Sequence, residues 1–319
     1  MYSLKNVIKT AIFCMIVLSI MTINTIAEVY KIAEGPEGGT FVIYAKFISK
    51  MASGRNIKLE SVTSVGSIDN IRKVEYNDAQ FAIAYSGHVY QATKGILRGD
   101  SHQYVKVKAV GYLYAAAAQM AVKTDDNIKD VNQFKGLKIG IGNRASGAAD
   151  TAKLFFWEMG VWDHITPYYD SYQDIINEFI LGNVDAFWLF TSFPNPSISH
   201  VSKKIKISLF DTYQEFNKRN VFKKYPYYTK CNIPPNTYNN IKKEIKTFQD
   251  SAILIAHKDV PDNIVAKLAY LIYSPKGLAM FNKSRFVSDP LIQKNGLKGI
   301  VTSLHPGAKT FWKKIGSMD

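Results

Sequence analysis

Residues 28–86 read EVYKIAEGPEGGTFVIYAKFISKMASGRNIKLESVTSVGSIDNIRKVEYNDAQFAIAYS, with three strand-like runs separated by two amphipathic stretches. The apolar periodicity predicts strands at Glu28–Ala33, Ile57–Thr63 and Phe81–Tyr85, and helices at Phe41–Met51 and Ser67–Val74. Strands that alternate with helices in this order form a mostly parallel sheet covered by helices. The stretch therefore predicts an α/β fold.

The same order of elements recurs in the second half of the chain. A strand is predicted at Leu137–Ile141, a helix from Ser146, a helix over Gln173–Leu181 and a strand at Ala186–Phe190. Residues 77–86 (NDAQFAIAYS) also align with residues 182–191 (GNVDAFWLFT), because in each a polar turn leads into a buried strand that ends in a hydroxyl residue. This weak repeat favours two similar α/β lobes.

Two further apolar runs, Val105–Lys123 and Ala252–Ala256, are candidates for strands that connect the lobes, and hinge rotation is expected near Gln119–Lys123 and Ala252–Ala256. If they lie side by side, the second lobe is inserted into the first. The predicted organisation is then lobe 1 at residues 28–118 plus 253–319 and lobe 2 at residues 119–252. The segment Tyr213–Tyr238 contains three prolines and is predicted to be irregular.

Three small-residue turns each follow a predicted strand and stand where a helix would begin. They are Gly38-Gly39-Thr40, the stretch from Gly66 to Asn70, and Ser146-Gly147. The start of a helix offers free backbone N–H groups and the positive end of the helix dipole, and both favour anions. Three such turns in one chain predict a cleft that holds a small anion, which indicates binding rather than catalysis.

Residues 1–27 have the features of an export signal: basic Lys5 and Lys9, an apolar core, and small residues that end at Ala27. The alternative is an uncleaved anchor, but the apolar run is shorter than the roughly 20 residues of a spanning helix. We expect cleavage near Ala27 and a periplasmic protein. Only Cys231 would then remain, so no intramolecular disulfide is expected.

The net charge of +14 comes largely from lysine clusters between residues 203 and 246, some of them interleaved with aromatic residues. Such a mixture is found in proteins that bind nucleic acids, and also on ordinary solvated surfaces. The export signal favours the solvated surface, so no nucleic-acid partner is expected.

The sequence carries few signatures of catalysis. The six histidines lack metal-ligand spacing, and no Gly-x-Ser-x-Gly nucleophile motif occurs. Gly140-Ile-Gly142-Asn-Arg-Ala145 matches a dinucleotide-binding fingerprint, although no following strand with a terminal acid is predicted. A glycine-rich turn that approaches some other ligand is the alternative. The expectation is a protein with no catalytic residues, no metal and no cofactor.

An ordered set of motifs from about Tyr30 to Gly316 resembles the TAXI solute receptors of TRAP transporters. The motifs are Ser64-x-Gly66-Ser67-x-x-Asn70, the stretch to Ser86, residues 136–142 with Ser146-Gly147, Gly182-x-x-Asp185-Ala186-Phe187, residues 233–238 and His305-Pro306-Gly307-Ala308. The resemblance implies a two-lobed, type II periplasmic-binding-protein fold with the ligand cleft between the lobes. It also implies capture of a small carboxylate, such as glutamate or another organic acid, and its delivery to an ion-coupled TRAP membrane permease. We expect the protein to be a monomer.

The motif positions give eight candidate ligand-binding residues: Gly39, Thr40, Ser67, Asn70, Ser86, Arg144, Ser146 and Gly147. Each has a structural alternative, since serines cap helices, an asparagine closes a turn and glycines permit unusual backbone shapes. Two positions depart from the family pattern. Arg144 stands where relatives carry small residues or proline, and either pairs with a carboxylate or lies on the surface. Gly87 stands where relatives often carry aspartate.

Two other classes of function remain open at this point. The chain could be an exported signalling or host-facing interaction protein that keeps the binding fold, or an exported enzyme built on the same scaffold. No sequence feature favours the enzyme.

Overall fold

The computed structural model describes residues 28–283 and 290–318, so the expected signal segment at residues 1–27 lies outside the described residues. In chain order the strands are β1 (Glu28–Ala33), β2 (Ile57–Val62), β3 (Phe81–Tyr85), β4 (Val107–Lys123), β5 (Lys138–Gly140), β6 (Thr166–Tyr168), β7 (Ala186–Thr191), β8 (Ile207–Leu209), β9 (Thr229–Ile233) and β10 (Ile245–His257). The α-helices are α1 (Thr40–Ser53), α2 (Ser67–Glu75), α3 (Ser86–Lys94), α4 (Gly147–Glu158), α5 (Tyr172–Leu181), α6 (Pro196–Lys204), α7 (Thr212–Lys218), α8 (Val221–Lys224), α9 (Asp262–Tyr273), α10 (Pro275–Asn282) and α11 (Pro306–Lys314). In the described part of the chain, every helix is too short or too polar to cross a membrane.

All strands belong to one mixed sheet with the order β2-β1-β3-β10-β4-β7-β5-β6, to which β9 adds beside β10 and β8 beside β4. The outer groups are parallel: β1 pairs with β2 and β3, and β5 pairs with β6 and β7. The central strands β4 and β10 are antiparallel to each other and to the strands beside them. The predicted parallel sheet is therefore found in each flank, and an antiparallel pair joins the flanks.

The two long central strands change partners partway along their length. In β10, Ile245–Gln249 pairs with β9, whereas Ala252–Ala256 pairs with β3. In β4, the stretch up to Ala117 pairs with β10 and the stretch from Ala117 to Val122 pairs with β7. We call the half with β1–β3 and α1–α3 lobe 1, and the half with β5–β9 and α4–α8 lobe 2. The exact boundaries given above for the two lobes, residues 28–118 plus 253–319 and residues 119–252, stay a prediction.

Each lobe packs its helices on its own part of the sheet. Helix α1 buries Phe41, Tyr44 and Ile48, the helical spacing that predicted it. In lobe 2 an aromatic cluster fills the core, and the rings of Phe216 and Phe248 stack with centroids 4.2 Å apart. Aromatic side chains bury large apolar areas, so these contacts hold the helices on the sheet.

The prediction of an irregular segment at Tyr213–Tyr238 is wrong in part, because α7, α8 and β9 lie within it. The Asp211 side chain caps α7 by accepting from Gln214 N–H, and Phe216 is fully buried on that helix. The three prolines fall in the connections between elements or just after β9, where a missing N–H costs nothing. They mark element boundaries rather than a long loop.

His305 provides a test of the C-terminal packing. Its Nδ1 accepts from Gly307 N–H at 3.1 Å and caps α11, and the ring is fully buried. Burial lowers the pKa of His305, against the opposing effect of Asp262. Below about pH 6.5 the His305 imidazole takes up a proton in the unfolded chain but not in the folded protein. The unfolded state is therefore favoured increasingly as the pH falls, and the free energy of unfolding decreases. We expect His305→Asn, which keeps a cap acceptor, to flatten the fall in unfolding free energy between pH 6.5 and pH 5.

Denaturant unfolding of both proteins at half-unit pH steps measures this difference. The pKa of His257 is also lowered, but His257 is present in both proteins and cancels in the comparison. Identical pH slopes in the two proteins would contradict the assignment.

Candidate functional site

A narrow cavity lies between the two lobes at the carboxyl ends of the parallel strands. Its volume is about 20 Å³, which is room for about one water molecule. Its wall consists of Pro36, Gly39, Thr40, Phe41, Val65, Gly66, Ser67, Tyr85, Tyr114, Ser146, Gly147, Ala148, Tyr172, Phe190 and Thr191. Ligands of open α/β sheets bind at this end of the strands. Any ligand larger than a water needs the lobes to separate before it can enter.

Three helices of nine residues or more begin at this cavity. Gly39 and Thr40 open α1, Ser67 opens α2, and Ser146 and Gly147 open α4. Gly66 has φ of +124°, a conformation that favours glycine and lets α2 begin close to the cavity. The first-turn N–H groups and the positive ends of three helix dipoles therefore lie around one small space.

Five of the eight predicted site residues line this cavity: Gly39, Thr40, Ser67, Ser146 and Gly147. Ser146 also caps α4 by accepting from Ala149 N–H at 3.0 Å. The Ser67 hydroxyl accepts from Tyr85 N–H at 2.9 Å. The predicted capping role of Ser146 is thus present together with a position on the cavity wall.

The other three predicted residues lie away from the cavity wall. Asn70 is buried, and its Nδ2 donates to Glu34 O at 2.6 Å and to Ile83 O at 2.8 Å. Ser86 opens α3 and donates to Gly299 O. Arg144 is exposed, with its guanidinium carbon 4.1 Å from the centre of the Tyr169 ring. Of the two alternatives for Arg144, the structure has the surface one.

Five aromatic residues also line the cavity: Phe41, Tyr85, Tyr114, Tyr172 and Phe190. The Tyr85 hydroxyl donates to Phe190 O across the lobes. Tyr114 is fully buried, and no described residue gives its hydroxyl a hydrogen bond of good geometry. Burial raises the pKa of both tyrosines well above the usual value, so both hydroxyls stay protonated and can donate. In the sequence, Tyr85 is the last residue of a predicted strand, whereas Tyr114 lies inside a long apolar run and gives no separate signal.

The lobes touch through hydroxyl groups beside the cavity. Thr40 Oγ1 of lobe 1 lies 2.8 Å from Thr191 Oγ1 and 2.7 Å from Ser192 Oγ of lobe 2. Asn195 Nδ2 donates to Gly38 O at 3.3 Å. These contacts are short and uncharged, so they are compatible with lobes that separate and close again.

Behind Ser67 a polar chain crosses from lobe 1 to lobe 2. Ser67 Oγ lies 3.2 Å from His88 Nδ1, and His88 Nε2 lies 3.4 Å from Asp150 Oδ2 on α4. Arg98 Nε lies 3.3 Å from the other oxygen of Asp150. Burial alone would raise the pKa of Asp150, but the contact with His88 and the positive charge of Arg98 hold it below its usual value. Asp150 therefore carries a negative charge between two groups of the opposite lobe.

A second buried carboxylate explains the departure at Gly87. Asp250 lies where β10 changes partner, and its oxygens accept from Gly87 N–H at 2.9 Å and Ser251 N–H at 2.6 Å. Burial raises the pKa of Asp250 to about 7. A Cβ at position 87 would lie 2.4 Å from the Tyr227 ring and 2.8 Å from Asp250 Oδ2. Space and charge therefore both disfavour an aspartate at position 87.

The fingerprint at residues 140–145 does follow a strand and precede a helix, and Gly142 has φ of +96°. About 20 residues beyond the fingerprint, Trp162–His164 forms a 3-10 turn rather than a strand, and the next strand, β6, is followed by Asp170. Asp170, however, accepts from Ser171 N–H and Tyr168 Oη. The side chains nearest to Gly142 are those of Ser146, Ala148 and Tyr172, which all line the cavity. In the described part of the chain no group of three metal-ligating side chains occurs.

Comparisons with known proteins agree with this architecture. Residues 32–316 match the model of the NMT1-like family, so the chain belongs to the NMT1-like family. A putative L-cystine ABC transporter protein from Listeria monocytogenes superposes with a TM-score of 0.51 at 13% identity, covering 82% of this chain and 98% of the other. A protein described as a periplasmic transporter gives 0.55 at 12% identity, covering 91% and 94%.

A further neighbour is the GluR0 ligand-binding core in complex with L-glutamate, with a TM-score of 0.51 at 10% identity, covering 82% of this chain and 99% of that chain. At such low identities the likeness concerns the fold alone. The fold is the type II periplasmic-binding-protein fold, as the sequence predicted.

Gly147 allows a direct test of how closely the lobes approach at the cavity. A Cβ at this position would lie 2.7 Å from Ser67 Cβ and 2.8 Å from His88 Cε1 in the other lobe. Its φ is not positive, so alanine suits α4 itself. We expect Gly147→Ala to keep the fold and hold the lobes apart, with a larger radius of gyration in small-angle X-ray scattering.

Gly54→Ala is the matched control, because its Cβ would make only an ordinary contact at 3.6 Å in lobe 1. An unchanged radius of gyration for Gly147→Ala would show that the close approach does not limit lobe closure.

Proposed function

We propose that this protein is the extracytoplasmic substrate-binding component of a transporter, which closes its two lobes around a small carboxylate and delivers it to a membrane permease. The observation that carries the proposal is the convergence of three helix N-termini on one cavity between the lobes. Membership of the NMT1-like family and neighbours that include a periplasmic transporter protein support it.

The chemistry of the cavity favours an anion. Each helix N-terminus contributes roughly half a positive charge. An anion beside it is stabilised by about 0.3–1 kcal/mol at an exposed site and by up to about 2 kcal/mol where the site is partly buried. The hydroxyls of Thr40 and Tyr114 add neutral donors at the same place. A carboxylate accepts several such donors at once, whereas a cation would face three positive helix ends.

The ordered TAXI-like motifs support a TRAP permease as the partner, with glutamate or a related organic acid as ligand, and a monomeric periplasmic protein. The named structural neighbours include an ABC transporter protein, so the class of permease rests on those motifs. No catalytic step is proposed.

Native mass spectrometry of freshly purified protein, followed by thermal-shift screening against amino acids, keto acids and dicarboxylates, tests this function. A co-purified acid, or a rise of several degrees in Tm with one acid, is the expected result. We expect Gly147→Ala to lose that response and Gly54→Ala to keep it. No response from any acid would move the assignment to an exported interaction protein that keeps the fold.

The anionic nature of the ligand can be tested at Ser146. Asparagine and aspartate both cap helices well, so Ser146→Asn and Ser146→Asp should keep α4. The two side chains have the same size, and only aspartate places a negative charge beside the bound ligand. Like charges a few ångströms apart cost about 1–4 kcal/mol in a partly screened site. We therefore expect the acid that gives the largest thermal shift to bind Ser146→Asp at least about tenfold more weakly than Ser146→Asn.

Isothermal titration calorimetry on the two variants measures this ratio. Equal affinities would mean that no negative charge of the ligand lies near the start of α4.

A further inference from the structure

Three groups from two lobes meet at the start of α4. Asp150 belongs to lobe 2 and lies in the first turn of α4, while His88 on α3 and Arg98 in the following connection belong to lobe 1. The side chain of Asp150 is only 11% exposed and that of His88 only 1%. A buried charge that loses its partners is costly, so this contact favours the arrangement in which the lobes touch.

Arg98 holds α4 at two places. Its Nε lies 3.3 Å from Asp150 Oδ1, and its guanidinium carbon lies 5.7 Å from the centre of the Trp157 ring. Asp150 and Trp157 are seven residues apart on α4 and so lie on the same face of the helix. One side chain of lobe 1 therefore lies along two turns of a lobe 2 helix.

The same contact reaches the cavity through Ser67. The Ser67 hydroxyl accepts from Tyr85 N–H, so its own proton is free to point to His88 Nδ1 at 3.2 Å. An imidazole that accepts at Nδ1 carries its proton on Nε2, the nitrogen that faces Asp150 at 3.4 Å. A cavity-wall hydroxyl and an inter-lobe charge contact therefore share one histidine.

We propose that Asp150 is a closure latch, a positioning residue whose contacts with His88 and Arg98 hold the lobes together and orient Ser67 in the cavity. The orientation of Ser67 toward a ligand rests on the proposed function, whereas the latch itself does not. Opening the cleft separates Asp150 from both partners, and closing it restores them. Asp150 thus biases the equilibrium between the open and closed arrangements.

The test measures lobe closure without any added acid, so it is independent of whether a carboxylate binds. Asp150→Asn removes the charge at constant size, and Arg98→Met keeps an unbranched stem over Trp157 without the charge. We expect each to shift the closed-to-open ratio at least tenfold toward open. The radius of gyration should rise, and the backbone amides of residues 66–70 and 146–150 should exchange hydrogen faster.

The double variant should open by less than the product of the two single effects, since both remove one shared contact. Asp150→Glu, which keeps the charge, should restore part of the closure. Asp163→Asn, at an exposed aspartate of lobe 2, is the matched control and should change nothing.

Circular dichroism identifies any variant that fails to fold, and Arg98→Met then decides the question if Asp150→Asn is such a variant. Unchanged scattering and exchange in folded Asp150→Asn or Arg98→Met would overturn the proposal. So would equal opening in Asp163→Asn.

Discussion

The antiparallel pairing of β4 with β10 is the constraint on which the rest of the structure depends. These two strands lie at the centre of the sheet. β10 pairs with β3 of lobe 1 in one part and with β9 of lobe 2 in another, and β4 pairs with β10 along one part and with β7 of lobe 2 along the rest. The lobes therefore cannot slide past each other without breaking a ladder of buried backbone hydrogen bonds, which are costly to leave unmade. What remains free is bending and twisting where the partners change.

This arrangement explains why the polar groups of the cleft occur in crossing pairs. Thr40 and Thr191, Tyr85 and Phe190, and His88 and Asp150 each join the two lobes around the cavity. A binding protein needs enough attraction between its lobes to close, and little enough that an empty cleft reopens. In this protein the neutral hydroxyl contacts at the cavity are compatible with reopening, and the charged contact behind the cavity favours closure.

Local features could be predicted from the sequence, whereas contacts between distant segments could not. Strands β1 and β3 have the predicted bounds, and the three turns that begin helices were found because glycine, serine and threonine leave a local signal. Strand β10 was predicted only at Ala252–Ala256, because its first half pairs with edge strand β9 and is less apolar. Asn70 and Arg144 illustrate the limit: each fits a motif, yet packing turns one toward backbone carbonyls and the other toward the Tyr169 ring.

The charge of the chain and the neutrality of its cavity have a kinetic consequence. The net charge is +14, yet every residue of the cavity wall is uncharged. Attraction by surface lysines is screened over about 8 Å at physiological ionic strength, while the buried helix ends are screened much less. Salt should therefore slow the arrival of an anion at the cleft and barely alter its departure, so that the residence time of the bound anion is set by the fold and its arrival rate by the medium.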